Sequence, residues 1–409
     1  MGFRWLVAGA VLLLAACSSG SGGGAPSSSG TPSAPPTSAS ASASPPTSAA
    51  GTPTPTTPAS PTPASPSPTR STPPAASPEQ LAGRRVVYSY PGPTPPEALL
   101  QAVREGRVAG VIFFSENVPD PQTLRTAVDR LRRAQAQSPG GGPLLLMTDQ
   151  EGGRVRRLPG APEESARQVG LSADPVAAAQ RTGAAAGANL ASYGLNLNLA
   201  PVLDVFSTPG DFSDSLGRSY SDDPVTVGRL GSAFIRSQQA TGVAATAKHF
   251  PGLGTAPAGA NTDTGPVVLP ASAARLRGVD EVPYGPAVAA GVKLVMLSWA
   301  VYPALDGSRP AGLSPTVVQG ELRGRLAFRG VTVSDALEAQ ALSAYGGTGA
   351  RAVGAAKAGV DLLLCSARDV AQGDAAAAAL AAGLRDGSLD RAQFDAAVAR
   401  VDALRGGLH

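Results

Sequence analysis

The sequence predicts an α/β fold: a single (β/α)8 TIM-type barrel, preceded by a secretion signal and an unstructured tether. Three observations predict it. Eight short apolar runs rich in β-branched residues recur between about Pro78 and His409. Ala-rich stretches with helical spacing separate them, and strict strand–helix alternation implies a parallel sheet. Eight repeats in this length favour closure into a barrel. The alternative, an open doubly wound sheet, is disfavoured because no Gly-x-Gly-x-x-Gly turn follows the first run.

The chain starts with Arg4 and an apolar stretch, Leu6 to Leu14, too short to remain as a membrane span. Leu14-Ala15-Ala16-Cys17 then resembles the lipobox of bacterial lipoproteins. That resemblance implies cleavage before Cys17, lipid on Cys17, and anchoring at the outer face of the cytoplasmic membrane. Ser18 to Thr69 contains no charged residue and is dominated by Ser, Thr, Pro, Gly and Ala. Such a segment cannot bury enough apolar surface to offset chain entropy, and its prolines make it a semi-extended tether. The expected organisation is a signal over 1–17, a disordered linker over 18–77 and one catalytic or binding domain over 78–409.

The candidate strands are Arg85–Tyr90, Ala109–Phe114, Leu144–Thr148, Leu195–Ala200, Val243–Ala247, Lys293–Leu297, Val331–Ser334 and Val360–Leu364. Pro121–Gln135, Pro175–Tyr193, Pro224–Thr241 and Arg351–Ala358 read as helices, several opened by proline at a favourable first-turn position. A last helix over Asp390–Leu404 places Phe394, Val398, Val401 and Leu404 on one stripe, with Ser388 as the expected N-cap.

Composition excludes several functions. A net charge of +3 carries no partner information, and without a basic stripe interleaved with aromatics no nucleic-acid partner is expected. Cys17 and Cys365 are the two cysteines, so with Cys17 lipidated no intrachain disulfide is available. Cys365 follows the apolar Val360–Leu364 run and reads as a buried thiol. No metal-ligand spacing and no Gly-x-Ser-x-Gly appear, so neither a cofactor, a metal nor a serine triad is expected.

The chemistry collects at strand ends. Asp149 follows the third run, Asp204 the fourth, Lys248-His249 the fifth, Ser298-Trp299 the sixth and Asp335 the seventh. In a barrel these positions share the C-terminal rim, where active sites are built. One aspartate there is an ordinary helix cap; five polar rim loops are not explained that way. The set suits a sugar. Asp149 and Asp204 can accept hydrogen bonds from hydroxyls, while Arg154, Arg218 and Lys248 donate. Trp299 is either an apolar face for a sugar ring or a core residue. Asp335 ends a buried strand with no adjacent cation in sequence and is the best nucleophile for glycosidic cleavage.

Lys248-His249-Phe250-Pro251-Gly252 and Asp149-Gln150-Glu151-Gly152-Gly153-Arg154 resemble signature stretches of glycoside hydrolase family 3, and within it the single-domain bacterial β-N-acetylhexosaminidases. Asn198–Asp204, Gly217–Tyr220 and Val333-Ser334-Asp335 match further blocks in the same order. The resemblance implies a retaining exo-β-N-acetylglucosaminidase with Asp335 as nucleophile and sugar bound by Asp149, Arg154, Arg218, Lys248 and His249. It implies N-acetylglucosamine-containing glycosides or muropeptides as substrates, in peptidoglycan turnover, and a monomer. Larger members carry a second α/β domain; this sequence ends soon after its last helix, so the hexosaminidase branch is expected.

Two positions depart from the pattern. Where the hexosaminidases carry Asp-Ser-His on a mobile loop, with the histidine as acid/base, this chain reads Asn261-Thr262-Asp263. Asn261 cannot titrate, so Asp263 is either the acid/base, once the closed loop desolvates it, or a loop-capping carboxylate. Ala336 follows Asp335 where a further acidic residue is common. The altered loop leaves two other readings open: a sugar-binding lipoprotein that lost hydrolysis, and a glycosidase or phosphorylase of different sugar specificity.

Overall fold

The computed structural model describes residues 76–140 and 142–408. The signal segment with Cys17, and the tether up to residue 75, lie outside the described residues. Eight parallel strands close into one barrel in sequential order: β1 (Val86–Tyr88), β2 (Gly110–Ile112), β3 (Leu145–Thr148), β4 (Leu197–Asn198), β5 (Ala244–Phe250), β6 (Leu294–Leu297), β7 (Val331–Ala336) and β8 (Leu362–Leu364). Every expected strand is present and the doubly wound alternative is excluded.

Period-2 alternation builds two cores from these strands. Val87, Leu145, Met147, Leu294, Met296 and Val333 fill the barrel interior. Their neighbours Val86, Tyr88, Leu146 and Val295 point outward against the helices.

The helices follow their cap signals. Before the barrel comes α1 (Pro78–Gly83), capped by Ser77, and α2 (Glu97–Arg104) joins β1 to β2. Asp120, Asp174 and Asp223 cap α3 (Pro121–Gln135), α4 (Pro175–Ser192) and α5 (Pro224–Gln239), each with proline in the first turn. The outer ring continues with α6 (Tyr284–Ala289), a π-helical α7 (Thr316–Arg325), α8 (Thr348–Ala358) and α9 (Val370–Arg385). The last helix, α10 (Arg391–Gly406), is capped by Asp390, not by Ser388. The Asp390 carboxylate accepts from Gln393 N at 2.7 Å, an N-cap bond that Ser388, two residues further from the first turn, does not make. Val401 and Leu404 of α10 join the barrel-interior core from below, closing the N-terminal end. Cys365 is fully buried, and burial raises its thiol pKa, so it is an inert core residue.

Two strands run past their sequence-based ends, and both extensions carry chemistry. β5 continues through Lys248 and His249 to Phe250, and β7 includes Asp335 and Ala336. In each strand the register slips by one residue: Ala247 and Phe250 pair with Val295 and Leu297, and Val333 and Ala336 pair with Leu362 and Leu364. A bulge of this kind re-aims side chains beside a site. It lets consecutive residues, Lys248 with His249 and Asp335 with Ala336, face the same cavity, which regular alternation forbids.

Candidate active site

A cavity of about 630 Å³ opens at the C-terminal end of the barrel. Asp149, Arg218, Lys248, His249, Asp263 and Asp335 all line it, although they come from five different segments of the chain.

Asp149 leaves the end of β3 and is followed by a hairpin, Gln150–Gly152 with Val155–Arg156. Gln150 turns away from the cavity. Its amide nitrogen donates to Leu158 O and Ala161 O, and its oxygen accepts from Arg157 N and Leu158 N. The alternation that sends Gln150 outward sends Asp149 and Glu151 inward. Gly152 and Gly153 make the turn at φ of 109° and 56°, a region only glycine enters freely.

Arg154 sits on that turn, exposed and outside the cavity lining, so the sugar-binding placement expected for it does not hold. Three residues further along the returning strand, Arg157 lines the cavity instead, with a buried Nε that has no protein partner. Sequence reading missed Arg157; the hairpin's alternation was the available signal.

Charges at the cavity floor are interlocked. Lys248 Nζ lies 2.7 Å from both Asp149 Oδ1 and Glu151 Oε1. Arg218 grips Glu151 with two bonds, Nε to Oε2 at 2.9 Å and Nη2 to Oε1 at 2.8 Å. Burial alone would raise the Glu151 pKa, but Arg218 and Lys248 overcome it and hold the carboxylate far below the usual range. Burial would likewise strip Lys248 of its proton, yet Asp149 and Glu151 raise its pKa. Glu151 is a second residue that the sequence reading left without a role.

Asp204 was expected to face hydroxyls and instead is 1 % exposed and absent from the lining. Its Oδ1 accepts from His249 N and Leu253 N, and its Oδ2 lies 2.8 Å from His249 Nδ1. With Nδ1–H donating to Asp204, Nε2 of His249 accepts from Arg218 Nη2 at 3.3 Å. Ser298 also turns inward, its hydroxyl accepting from Ala300 N. Trp299 is a core residue, 1 % exposed, whose Nε1 donates to Ala336 O at 2.8 Å and braces the Ala336–Leu337 peptide, one residue beyond Asp335.

The loop after β5 is folded over the site. Gly254 packs so closely on Val205 that a Cβ there would lie 1.7 Å from Val205 O. Further on, Ala341 N donates to Thr262 O and Gln340 N to Asp263 O, tying the loop to the segment after β7. Asn261 takes the Asx-turn role, its Oδ1 accepting from Asp263 N at 2.9 Å. Asp263 is an exposed residue at the edge of the cavity that it lines, near enough to Asp335 to feel its charge. Desolvation, then the charge of Asp335, raise its pKa, outweighing His249 and Arg218.

Residues 80–404 match the family profile described as Glycosyl hydrolase family 3 N terminal domain. An "Uncharacterized secreted glycosyl hydrolase" of Arthroderma benhamiae is 47% identical over 326 residues, covering 79% of this chain and 92% of that protein. The solved family 3 β-N-acetylglucosaminidase from Paenibacillus sp. matches with a TM-score of 0.76 and 34% identity over 81% of this chain. The chain spans 63% of that larger protein. A β-N-acetylhexosaminidase from Beutenbergia cavernae matches with a TM-score of 0.74 and 33% identity, over 81% of this chain and 99% of its own.

Proposed function

The chain belongs to glycoside hydrolase family 3, and from that premise we propose that this glycosidase is a retaining, exo-acting β-N-acetylglucosaminidase. The single observation that carries the reading is the placement of Asp263. A loop bonded to Gln340 and Ala341 brings it, with a raised carboxyl pKa, to the edge of the cavity that holds Asp335.

In this mechanism Asp335 attacks the anomeric carbon while Asp263 gives its proton to the departing oxygen. The glycosyl–Asp335 ester forms as the glycosidic bond breaks. Asp263, now ionised, takes a proton from water, which opens the ester and releases the sugar with its configuration retained. Asp149 accepts from sugar hydroxyls; Lys248, Arg218 and Arg157 donate to them, and Glu151 keeps the cation cluster neutralised. The hexosaminidase names of the relatives support N-acetylglucosamine as the terminal sugar.

The same reading places the enzyme in peptidoglycan turnover, outside the cytoplasmic membrane and held there by lipid on Cys17. Support for the anchor is the Leu14–Cys17 motif and the uncharged tether behind it. The test is proton NMR of the full chain acting on an aryl β-N-acetylglucosaminide. The β-anomer of N-acetylglucosamine should appear first. Initial α-anomer would overturn retention, and absence of turnover would overturn the assigned specificity. Cys17→Ala should move the protein from the membrane fraction to the soluble fraction.

A further inference from the structure

The end of the barrel away from the cavity carries an excess of positive charge. Asp361, fully buried before β8, is shared by Arg323 Nη2 at 2.5 Å and Arg400 Nη2 at 2.8 Å. Arg85, also buried, donates beside them to Asp361 O and Val360 O. Three guanidiniums are thus balanced by one carboxylate. Burial lowers the Arg323 pKa, Asp361 opposes it, and Arg400 and Arg329 add repulsion.

Around that cluster Arg236, Lys293 and Arg329 are exposed and form no ion pair among the described residues. Gln239, one turn on from Arg236, bonds Gly291 O and the Lys293 amide. Arg329 Nη1 donates to Arg323 O, and Val331 N to Lys293 O. Lys293 and Arg329 flank an open depression of about 410 Å³ that Phe328 and Leu404 also line. Glu321 and Glu281, the acids nearest in this sector, are buried against Arg277 and Arg325. Asp386 and Asp390, exposed at the turn between α9 and α10, share their part of this end with Lys357. A last-turn arginine such as Arg236 complements its helix dipole. Lys293 and Arg329 sit in loops, where no dipole calls for them.

The chain enters the barrel at the same end. Gln80 Nε2 of α1 donates to Glu105 O in the loop before β2, and Glu79 pairs with Arg385 in the last turn of α9. The segment carrying the uncharged stretch over 18–69 therefore joins at the N-terminal face. A tether of that composition and length reaches roughly 40 Å as a flexible coil and about 160 Å extended. Such reach lets either end of the barrel meet the membrane, so the tether does not orient the domain. Charge does. The cavity end carries the capping carboxylates Asp120, Asp174, Asp223 and Asp369, which an anionic surface repels.

We propose that the N-terminal face of the barrel, at Arg236, Lys293 and Arg329, docks on anionic phospholipid headgroups and turns the active-site cavity away from the membrane. The inference rests on the lipid-anchor reading and adds a second, electrostatic contact to it.

The test uses the full chain with Cys17→Ala throughout, so that a failed anchor reading shows in fractionation and leaves this measurement intact. Partition is measured onto phosphatidylglycerol–phosphatidylcholine vesicles and onto pure phosphatidylcholine vesicles. The anionic-to-neutral ratio is then compared between chains, and contributions of the signal segment, common to all, cancel. A basic residue at an anionic surface is worth about fivefold. Lys293→Gln alone should lower the ratio by about that factor, and the triple variant with Arg236→Gln and Arg329→Gln by about 100-fold at low salt. Arg154→Gln, an exposed cation at the cavity end, should leave the ratio unchanged. Salt at about 0.5 M should erase most of the native preference. Turnover of a soluble aryl glycoside should be the same on anionic vesicles as in solution, because the cavity stays open. A native ratio near one, a triple variant with the native ratio, or a loss from Arg154→Gln as large as that from Lys293→Gln overturns the docking face. Loss of turnover on anionic vesicles overturns its orientation.

Discussion

Asp204 holds His249 at two points, accepting from its backbone nitrogen at 3.2 Å through Oδ1 and lying 2.8 Å from its ring Nδ1 through Oδ2. The same Oδ1 accepts from Leu253 N, so one buried carboxylate fixes both the imidazole and the start of the loop bearing Asp263. Asp204→Asn keeps the shape but offers an amide donor towards at least one group that also donates. We expect kcat/KM on an aryl glycoside to drop about 100-fold, in line with displaced catalytic geometry. The fold should remain, checked by circular dichroism and thermal melting. Native-like kcat/KM would show that His249 does not depend on Asp204.

Asp335→Ala removes the nucleophile and should abolish turnover of every glycoside. Asp263→Ala should be selective. Aryl glycosides with acidic leaving groups depart without a proton and should retain most of their rate, whereas disaccharides should lose about 10²–10⁴-fold. Equal losses on both classes would reduce Asp263 to a loop residue.

The sign of the pH dependence follows from the direction of the Asp263 shift. The acid works only while protonated, and its pKa is raised first by desolvation and then by Asp335, with Glu338 adding to it. The basic limb of kcat should therefore lie above the range of an ordinary aspartate, about 3.9. Glu338→Gln, which removes one contributing negative charge, should move that limb to lower pH. A limb that moves upward, or stays fixed while activity persists, would contradict the electrostatic coupling.

Strand positions were legible because the strands of a parallel barrel are buried on both faces and so read as short continuous apolar runs. Asp149, Lys248, His249 and Asp335 were legible because they follow those runs, and Arg218 and Asp263 because they sit in or beside the family-like blocks of the loops beyond them. Arg154 and Arg157 were not separable by residue type, since which arginine enters the cavity depends on the phase of a hairpin set by two positive-φ glycines. Asp204 reads like Asp149 in sequence, yet loop backbone closes over one and not the other. The bulges in β5 and β7 leave no signal in composition or period, because they arise from pairing with neighbouring strands.

Glu151 is the counter-ion on which two site cations depend. Its replacement by Gln leaves Arg218 and Lys248 buried, with Asp149 as the remaining carboxylate within 4 Å of Lys248. Breaking a buried pair by removing one partner costs about 3–5 kcal/mol, which urea unfolding of Glu151→Gln should register as a lowered midpoint with unchanged slope. KM should rise as well, because Lys248 and Arg218 lose the partner that aims them.

Behind the site, Asp280 makes the opposite case: a carboxylate whose removal should help stability. It is 1 % exposed, its Oδ1 has no partner, and Arg275 Nε reaches Oδ2 at 3.2 Å. Burial pushes its pKa up to about 6, with Arg275 opposing and Asp204 adding. A carboxyl with a raised folded pKa binds more protons folded than unfolded. Its penalty is absent below the unfolded value near 3.8, grows as pH rises, and is complete above about 6. A shift of that size corresponds to about 2–3 kcal/mol at neutral pH. Asp280→Asn should then raise the melting temperature at pH 7.5 and leave it nearly unchanged at pH 4, since Arg275 is partly exposed and can be solvated alone. A stabilisation larger at pH 4 than at pH 7.5 would reverse the sign and exclude a buried, charge-disfavouring site. Gly252 sets the local constraint, because a Cβ there would stand 2.9 Å from Asp280 Cβ. The gain therefore depends on Asn fitting the Asp280 outline beneath the loop that carries Lys248 and His249.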